Sequence, residues 1–323
     1  MNILVTGGAG FIGSNFIQYM IEIYPDYFIV NYDALTYAGN LDNLKEIHHH
    51  EHYTFIKGDI NNRALLDTVV KEHEIDVIVN FAAESHVDRS ITEPDVFIKS
   101  NVLGTQTLLD IAKENEIKKS VQISTDEVYG SLGKTGYFTE ETPLAPNSPY
   151  AASKAGADML VSAYYKTYGL NVNITRCSNN YGPYQFPEKL IPLMITNAME
   201  GEWLPVYGDG KNVRDWLHVR DHCMAIDLVI HKGVAGEVYN IGGGNEKTNN
   251  EIVHLILEKL SASKELIHFV EDRLGHDCRY AIDATKVEKE LGWKPTYTFE
   301  KGMDETIRWY VGNEKWWRKI KKN

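Results

Sequence analysis

The chain has 323 residues, of which 43% are hydrophobic and 24% charged, as is ordinary for a globular protein with one large α/β domain or two smaller ones. Its formal net charge of −12 argues against nucleic acid or a membrane surface as the main partner, because both attract basic faces. The sequence contains no apolar run of about 18 residues and starts directly with strand-like residues rather than a signal peptide. We therefore expect a cytoplasmic protein.

Cysteines and histidines give little support for a disulfide framework or a metal site. Cys177, Cys223 and Cys278 are too few and too scattered for either. The histidines at 48–52 lie in a polar, charged segment with no supporting cysteine or carboxylate cluster. We expect no bound metal.

The N-terminal half alternates strand-like and helix-like segments. The predicted strands are Asn2–Thr6, Tyr27–Tyr32, Thr54–Lys57, Val77–Phe81, Ser120–Ser124 and Val172–Arg176. The predicted helices between them are Phe11–Tyr24, Asn62–His73, Asp95–Asn115 and Tyr150–Tyr168. This alternation predicts an α/β fold with a Rossmann-type, doubly wound parallel sheet and helices on both faces.

The pattern changes after Arg176. A turn-rich stretch at 179–187 is followed by shorter strand candidates at Leu204–Val206, Glu237–Ile241 and Ile267–Phe269. We predict a Rossmann domain at 1–176 and a smaller, mainly substrate-binding α/β domain at 177–323. Some segments within 210–245 are expected to return to the first domain.

The segment TGGAGFIGS at 6–14 joins the first strand to the first helix. Gly8, Gly10 and Gly13 fit G-x-G-x-x-G, and replacing Gly8 by Gly7 gives an equally good G-x-x-G-x-x-G. Such glycines permit a tight turn and let a pyrophosphate approach the positive N-terminus of the helix. The predicted dinucleotide contacts here are Gly7, Gly10, Phe11, Ile12 and Gly13.

Asp33 follows Gly13 by 20 positions, at the end of the second predicted strand. A carboxylate there accepts hydrogen bonds from the adenosine ribose and repels a 2′-phosphate, which favours NAD over NADP. The alternative is a bare tight turn with Asp33 on a surface loop. Further cofactor contacts are predicted where the third and fourth strands end, at Asp59, Ile60, Ala82 and Ala83; small residues chosen for helix packing are the alternative there.

Tyr150 and Lys154 lie four residues apart in SPYAASKAGAD, so they share one face of a predicted helix. A phenol with a pKa near ~10 is a poor base at neutral pH. A neighbouring ammonium and an oxidised nicotinamide stabilise the phenolate and make it usable. The pattern alone also fits a surface helix pair, but the glycine segment and a strand-end Thr125 favour a catalytic site.

The chain resembles the extended short-chain dehydrogenase/reductase family over essentially its full length. The matching segments are TGGAGFIGS, NFAAESHVDRS (80–90), STDEVYG (124–130) and YAASK (150–154). The resemblance implies NAD as cofactor and a nucleotide-sugar substrate whose reacting carbon lies between the tyrosine and the nicotinamide. It also implies a homodimer formed through a four-helix bundle of the helices at 95–115 and 150–168.

The acid pair Asp126–Glu127 distinguishes two branches of this family. A 4-epimerase oxidises C4, rotates the keto sugar and reduces it again, and usually carries small or neutral residues here. A 4,6-dehydratase also removes the C5 proton, expels the C6 hydroxyl as water and returns the hydride to C6, which requires an adjacent base and acid. TDEVYG resembles the dehydratase branch, which implies Glu127 as C5 base, Asp126 as acid and Thr125 as a hydrogen-bond partner of the C4 oxygen.

The expected reaction is therefore NAD-dependent dehydration of dTDP-glucose to its 4-keto-6-deoxy product. UDP-glucose as substrate and 4-epimerase activity remain alternatives. A non-catalytic NAD-sensing protein is a third, although such proteins often lose the tyrosine or the lysine, and both are present here.

The resemblance also implies a set of substrate contacts. Asn180 is expected at sugar or phosphate oxygens, Lys189 and Arg214 at the diphosphate, and Tyr207 near the base. The whole set is Ser85, Thr125, Asn180, Lys189, Leu190, Pro205, Tyr207, Arg214, Asn249, Arg273 and His276. Two positions depart from the family pattern: Leu274 replaces a common proline, which leaves the loop less restrained, and Cys278 replaces a basic residue.

Overall fold

A computed structural model of the chain describes residues 1–272 and 276–322. Within these residues, strands form a seven-stranded, a three-stranded and a two-stranded sheet. In chain order the strands are β1 (Asn2–Thr6), β2 (Phe28–Asp33), β3 (Tyr53–Lys57), β4 (Val77–Asn80), β5 (Lys119–Thr125), β6 (Val172–Cys177), β7 (Asn179–Tyr181), β8 (Leu204–Tyr207), β9 (Val213–His218), β10 (Val238–Ile241), β11 (Glu246–Thr248) and β12 (Ile267–Val270).

The seven-stranded sheet has the order β10-β6-β5-β4-β1-β2-β3, and all its neighbouring strands run parallel. The first six predicted strands form with ends within one residue of the prediction. β1 pairs with β2 on one side and β4 on the other, so the strand order reverses beside β1. The predicted doubly wound α/β fold is confirmed, and ligands of such folds bind at the carboxyl edge beside this reversal.

Helices cover both faces of the sheet. In chain order, the α-helices within the described residues are α1 (Phe11–Ile23), α2 (Arg63–Glu72), α3 (Val87–Thr92), α4 (Pro94–Phe97), α5 (Gly104–Glu114), α6 (Pro149–Tyr168), α7 (Leu190–Glu200), α8 (Val219–Lys232), α9 (Asn249–Leu260), α10 (Thr285–Leu291), α11 (Phe299–Gly312) and α12 (Glu314–Lys321). Side chains of β1 alternate between two apolar layers: Ile3 and Val5 pack with α1 and α8, whereas Leu4 packs with α2 and α5. This alternation follows from the two-residue period of a strand.

The helix predicted at Asp95–Asn115 is not uniform. Between α4 and α5 the backbone widens into a π-helical turn at Ile98–Leu103. Asn101 in this turn is buried, donates to Glu84 O at 3.0 Å and Ser153 Oγ at 2.8 Å, and accepts from Glu84 N at 2.9 Å. Through the Asn101 side chain, the widened turn connects α6 to the loop after β4. Helical periodicity in the sequence does not predict this contact.

After residue 176 the chain forms the two small sheets, ordered β11-β9-β7 and β12-β8. The helices α7, α9, α11 and α12 enclose a second apolar core, which includes Ile195, Ile256, Met303 and Trp317. α8 and β10 instead join the central sheet, where β10 pairs with β6. The domain boundary at 176 stays a prediction. None of the helices in the described ranges is long and apolar enough to cross a membrane.

Candidate active site

A cavity of about 460 Å³ opens at the carboxyl edge of the central sheet, a volume within the usual range for ligand sites. The structure gathers predicted residues from distant parts of the sequence around it. Those that line it are Gly7, Gly10, Phe11, Ile12, Gly13, Asp33, Asp59, Ile60, Ala82, Ala83, Ser85, Thr125, Asp126, Glu127, Tyr150, Lys154, Asn180 and Lys189.

The glycine segment between β1 and α1 leaves no room for side chains. Gly7 has φ +68°, and a Cβ there would lie 2.6 Å from Ala82 N. At Gly13 a Cβ would lie 2.4 Å from Gly7 O. α1 starts after Gly10 without a side-chain cap, so its first backbone N–H groups remain suited to an anion.

Asp33 ends β2 beside this segment and is buried. Its carboxylate accepts from Ala9 N at 2.9 Å and Leu35 N at 2.7 Å. Burial raises the pKa of Asp33, and these two backbone hydrogen bonds oppose the rise. Carboxylate oxygens accept more than one hydrogen bond each, so Asp33 can also receive ribose hydroxyls. The open helix N-terminus and this carboxylate together fit a dinucleotide such as NAD.

Tyr150 and Lys154 lie in the first turns of α6, whose start is fixed by Ser148 Oγ accepting from Ala151 N at 3.1 Å. Both side chains are buried, and Lys154 Nζ donates to Ile123 O on β5 at 2.6 Å. Burial raises the pKa of Tyr150 well above its ordinary value, and the negative charge of Glu127 adds to the rise. Both groups are therefore removed from water, and the raised pKa of Tyr150 means that its phenolate needs a positive charge such as an oxidised nicotinamide beside it.

Asp158 stands one helical turn beyond Lys154 and forms a buried ion pair with Arg176 on β6, with Asp158 Oδ2 2.8 Å from Arg176 Nε. Burial lowers the pKa of Lys154, and the negative charge of Asp158 opposes that shift. Sequence reasoning missed this pair. The four-residue spacing from Lys154 to Asp158 was visible, but nothing local indicated that the carboxylate is buried.

The acid pair lies where β5 ends. Thr125 Oγ1 accepts from Glu127 N at 3.3 Å and so begins the 3₁₀ turn Asp126–Tyr129. Asp126 is 1% exposed, and burial, followed by the charges of Glu127 and Asp215, raises its pKa well above the ordinary value. Within the part of the chain that the structure describes, Asp126 Oδ2 has no hydrogen-bond partner. A buried carboxyl with a raised pKa therefore lies in the same cavity as a second carboxyl, that of Glu127.

Several predicted substrate residues lie outside the cavity lining. The rings of Tyr207 and His276 are 6.3 Å apart, and Arg214 donates to Asp277 O at 3.0 Å while lying 4.4 Å from the Tyr280 ring centroid. Of the remaining ones, Leu190 is the first residue of α7, Pro205 lies on β8, and Asn249 is the first residue of α9. Arg273 and the departure at Leu274 fall outside the described residues.

The cavity also contains residues that sequence reasoning did not select. The lining includes Tyr37, Glu84, Cys177, Glu188 and Trp316. Burial raises the pKa of the Cys177 thiol to about 12, so this cysteine is an inert wall residue. Cys177 directly follows the predicted strand Val172–Arg176, and Glu84 lies three residues after the predicted strand Val77–Phe81, positions that could have identified them. The others gave no such indication.

The chain is an enzyme of the extended short-chain dehydrogenase/reductase class, as defined by its fold, its glycine segment and its Tyr150–Lys154 pair. The family model described as GDP-mannose 4,6 dehydratase matches residues 4–306, and the chain belongs to that family.

Relatives and solved structures cover nearly the whole chain. It is 53% identical to a dTDP-glucose 4,6-dehydratase of Xanthomonas campestris over 97% of this chain and 94% of that protein. Its structure is similar to that of the Bacillus anthracis dTDP-glucose 4,6-dehydratase in complex with NAD, with a TM-score of 0.94, 62% identity and 99% of each chain covered. The Streptomyces venezuelae enzyme DesIV, also solved with NAD, gives a TM-score of 0.96 at 52% identity, covering 99% of this chain and 100% of that one.

Gly13→Ala should abolish tight NAD binding, because the new Cβ would meet Gly7 O at 2.4 Å and displace the segment that receives the pyrophosphate. The measurement is NAD affinity by isothermal titration. The matched control is Gly133→Ala, where a Cβ meets nothing within 4 Å. Wild-type affinity in Gly13→Ala would contradict this account of the glycine segment.

Proposed function

We propose that this enzyme is an NAD-dependent hydro-lyase that converts dTDP-glucose into dTDP-4-keto-6-deoxyglucose and water. The observation that carries the proposal is the buried Asp126, which lines the same cavity as Glu127, Tyr150 and Lys154 and whose pKa burial raises. The relatives named above support the same substrate. Epimerisation at C4 has no use for such an acid pair.

The glycine segment and Asp33 would hold NAD. When bound, this cofactor supplies a hydride acceptor for C4 and a hydride donor for C6, so it is unchanged after each turnover. Ala82 and Ala83, which follow β4, line the cavity with small side chains that would leave room for NAD.

The protein side chains divide the proton transfers among them. Tyr150 as phenolate accepts the proton of the C4 hydroxyl, with the charge of Lys154 stabilising the phenolate, and Thr125 donates to the C4 oxygen. Glu127 removes the C5 proton, which the C4 carbonyl has made acidic. Asp126 gives its proton to the departing C6 hydroxyl, so that water leaves and a C5–C6 double bond forms. Glu127 then returns its proton to C5 when C6 is reduced, and Asp126 regains a proton from solvent. A carboxyl whose pKa is raised by burial suits the task of the acid.

The chain after residue 176 supplies the nucleotide-sugar side of the site in this proposal. Asn180 and Lys189 line the cavity. Lys189 Nζ donates to the backbone O of Ser85, in the loop after β4, at 3.0 Å. Arg214 lies near enough to Asp126 for its charge to act on that carboxyl, although burial and the charge of Glu127 act more strongly. A diphosphate between Lys189 and Arg214 would place the sugar at Asp126 and Glu127.

A product assay tests the proposed function. The protein is incubated with dTDP-glucose and, in parallel, UDP-glucose; alkali-induced absorbance reports a 4-keto-6-deoxy sugar and mass spectrometry reports loss of water. We expect water loss from dTDP-glucose. A galacto-configured product of unchanged mass would instead establish an epimerase.

Glu127→Gln should lower the dehydration rate by about 10²–10⁴-fold, because a carboxamide cannot accept the C5 proton. Incorporation of solvent deuterium at C5 should fall with it. Glu141→Gln, at an exposed position, is the matched control and should keep the wild-type rate.

Asp126→Asn separates the two roles. It should slow the loss of water while C5 still exchanges with solvent, because Glu127 remains in place. Loss of C5 exchange in this variant, together with its retention in Glu127→Gln, would reverse the assignment of base and acid.

Asp158→Asn should move the alkaline limb of the pH–rate profile to lower pH. The substitution removes the negative charge that opposes the burial-induced fall in the pKa of Lys154, so the ammonium loses its proton at lower pH. The measurement is kcat for dTDP-glucose across neutral and alkaline pH. A purely structural role for Asp158 would lower the rate without moving the limb.

We also infer a homodimer formed through α5 and α6. Large apolar side chains on this side of the molecule are exposed, including Ile98, Leu103 at 49% and Met159 at 60%. α5 and α6 pack side by side, so a second copy placed against them would complete a four-helix bundle and bury these side chains. A cytoplasmic location is part of the same proposal, supported by the exposed free thiol of Cys278, which suits a reducing compartment.

The double variant Leu103→Glu/Met159→Glu should be monomeric in size-exclusion chromatography with light scattering, because four charges would have to be buried in the dimer. Phe269→Glu introduces a charge at a residue that is 57% exposed on β12, the strand that pairs with β8 in the two-stranded sheet. It should leave the mass unchanged. A monomeric wild-type protein would refute the dimer.

A further inference from the structure

The C-terminal helix α12 reaches back to the cavity at the other end of the sequence. Trp316 and Ile320 line the cavity together with the glycine segment. The neighbouring Trp317 points the opposite way: it is fully buried in the second apolar core and donates from Nε1 to Tyr310 O at 2.9 Å. One side of α12 is therefore anchored in that core, while the other borders the cofactor cavity.

A chain of hydrogen bonds joins α12 to the glycine segment. Trp316 Nε1 donates to Asn43 Oδ1 at 2.9 Å, and Asn43 Nδ2 donates to Ala9 O at 3.0 Å. Ala9 lies inside TGGAGFIGS, and its N–H donates to Asp33. The Asn43 side chain is buried, so its hydrogen bond to Ala9 O is shielded from water, whereas the one from Trp316 is partly buried.

The Trp316 ring is also held in place by its neighbours. It packs against Tyr184 with ring centroids 5.9 Å apart and against Trp309 at 5.1 Å. Lys319 pairs with Asp42 in the same turn as Asn43, but both side chains are largely exposed and this pair contributes little. The indole–amide bond is thus the specific link between α12 and the cofactor segment.

We propose that α12 acts as a clasp that slows the release of NAD, with Trp316 and Asn43 as positioning residues for the glycine segment. This inference rests on the proposed function, in which NAD is regenerated in every turnover and is best retained. In this proposal NAD leaves by a movement of Ala9 and its neighbours, and the bond from Asn43 adds to the one that Ala9 O accepts from Asn40 N at 3.0 Å. The Trp316–Asn43–Ala9 chain couples that movement to α12, which is fixed through Trp317.

Trp316→Phe tests the clasp, because phenylalanine lacks the N–H donor and the second indole ring but keeps one aromatic ring beside Tyr184 and Trp309. The protein is loaded with labelled NAD in the absence of any sugar. Its dissociation rate is measured as the loss of bound label after addition of excess unlabelled NAD. We expect release to be about three- to tenfold faster, the effect of losing one hydrogen bond.

Trp317→Phe is the matched control on the same helix. It removes a hydrogen bond within the second core, so it should lower the melting temperature while leaving NAD release at the wild-type rate. Equal acceleration in both variants would show general loosening of α12 and overturn the clasp, as would wild-type release in Trp316→Phe.

A double-mutant cycle tests the coupling. Trp316→Phe/Asn43→Ala should release NAD no faster than Asn43→Ala alone, because either change breaks the same chain. Additive effects would overturn the link through Asn43. Wild-type protein that binds no NAD at all would instead contradict the cofactor assignment in the proposed function, a different result from a clasp variant that behaves like wild type.

Discussion

Removal of charged and phenolic groups from water at the ends of β5 and β6 is the constraint on which the rest of the structure depends. A buried carboxyl favours its proton and a buried ammonium favours losing it. Asp126 accordingly has a raised pKa and Lys154 a lowered one, and burial is the first cause in both cases. Water at this position would remove the difference between Asp126 and an ordinary surface aspartate.

The surrounding fold supplies that exclusion of water without covering the cavity entirely. Two apolar layers pack the sheet against its helices, and because its strands are parallel their carboxyl ends meet at one edge. The π-helical turn then brings Asn101 to Glu84 and Ser153, which ties the loop after β4 to the helix that carries Tyr150 and Lys154. The ion pair of Asp158 with Arg176 ties the same helix to β6. Both contacts are polar, and both fix the position of α6.

In the proposed function, cofactor and substrate would be held by different kinds of structure. The glycine segment would bind NAD through backbone groups, and its shape depends on the absence of side chains at Gly7 and Gly13. The nucleotide sugar would be bound by long side chains such as Lys189 and Arg214, contributed by the chain after the last predicted Rossmann strand. The proposed clasp by α12 connects the second core to the glycine segment. Trp317 is buried in that core, and Trp316 is linked to Ala9 of the glycine segment through Asn43.

The sequence by itself determined the parallel sheet, the glycine segment with Asp33, the helix carrying Tyr150 and Lys154, and the acid pair at a strand end. These features are periodic or local, so neighbouring residues are enough to define them. Only the tertiary structure decided that Asp126 is buried, that Asp158 faces Arg176 and that β10 extends the central sheet. It also placed Trp316 beside a segment more than 270 residues away in the chain, through Asn43. Burial and such contacts depend on atoms distant in sequence, which no local pattern records.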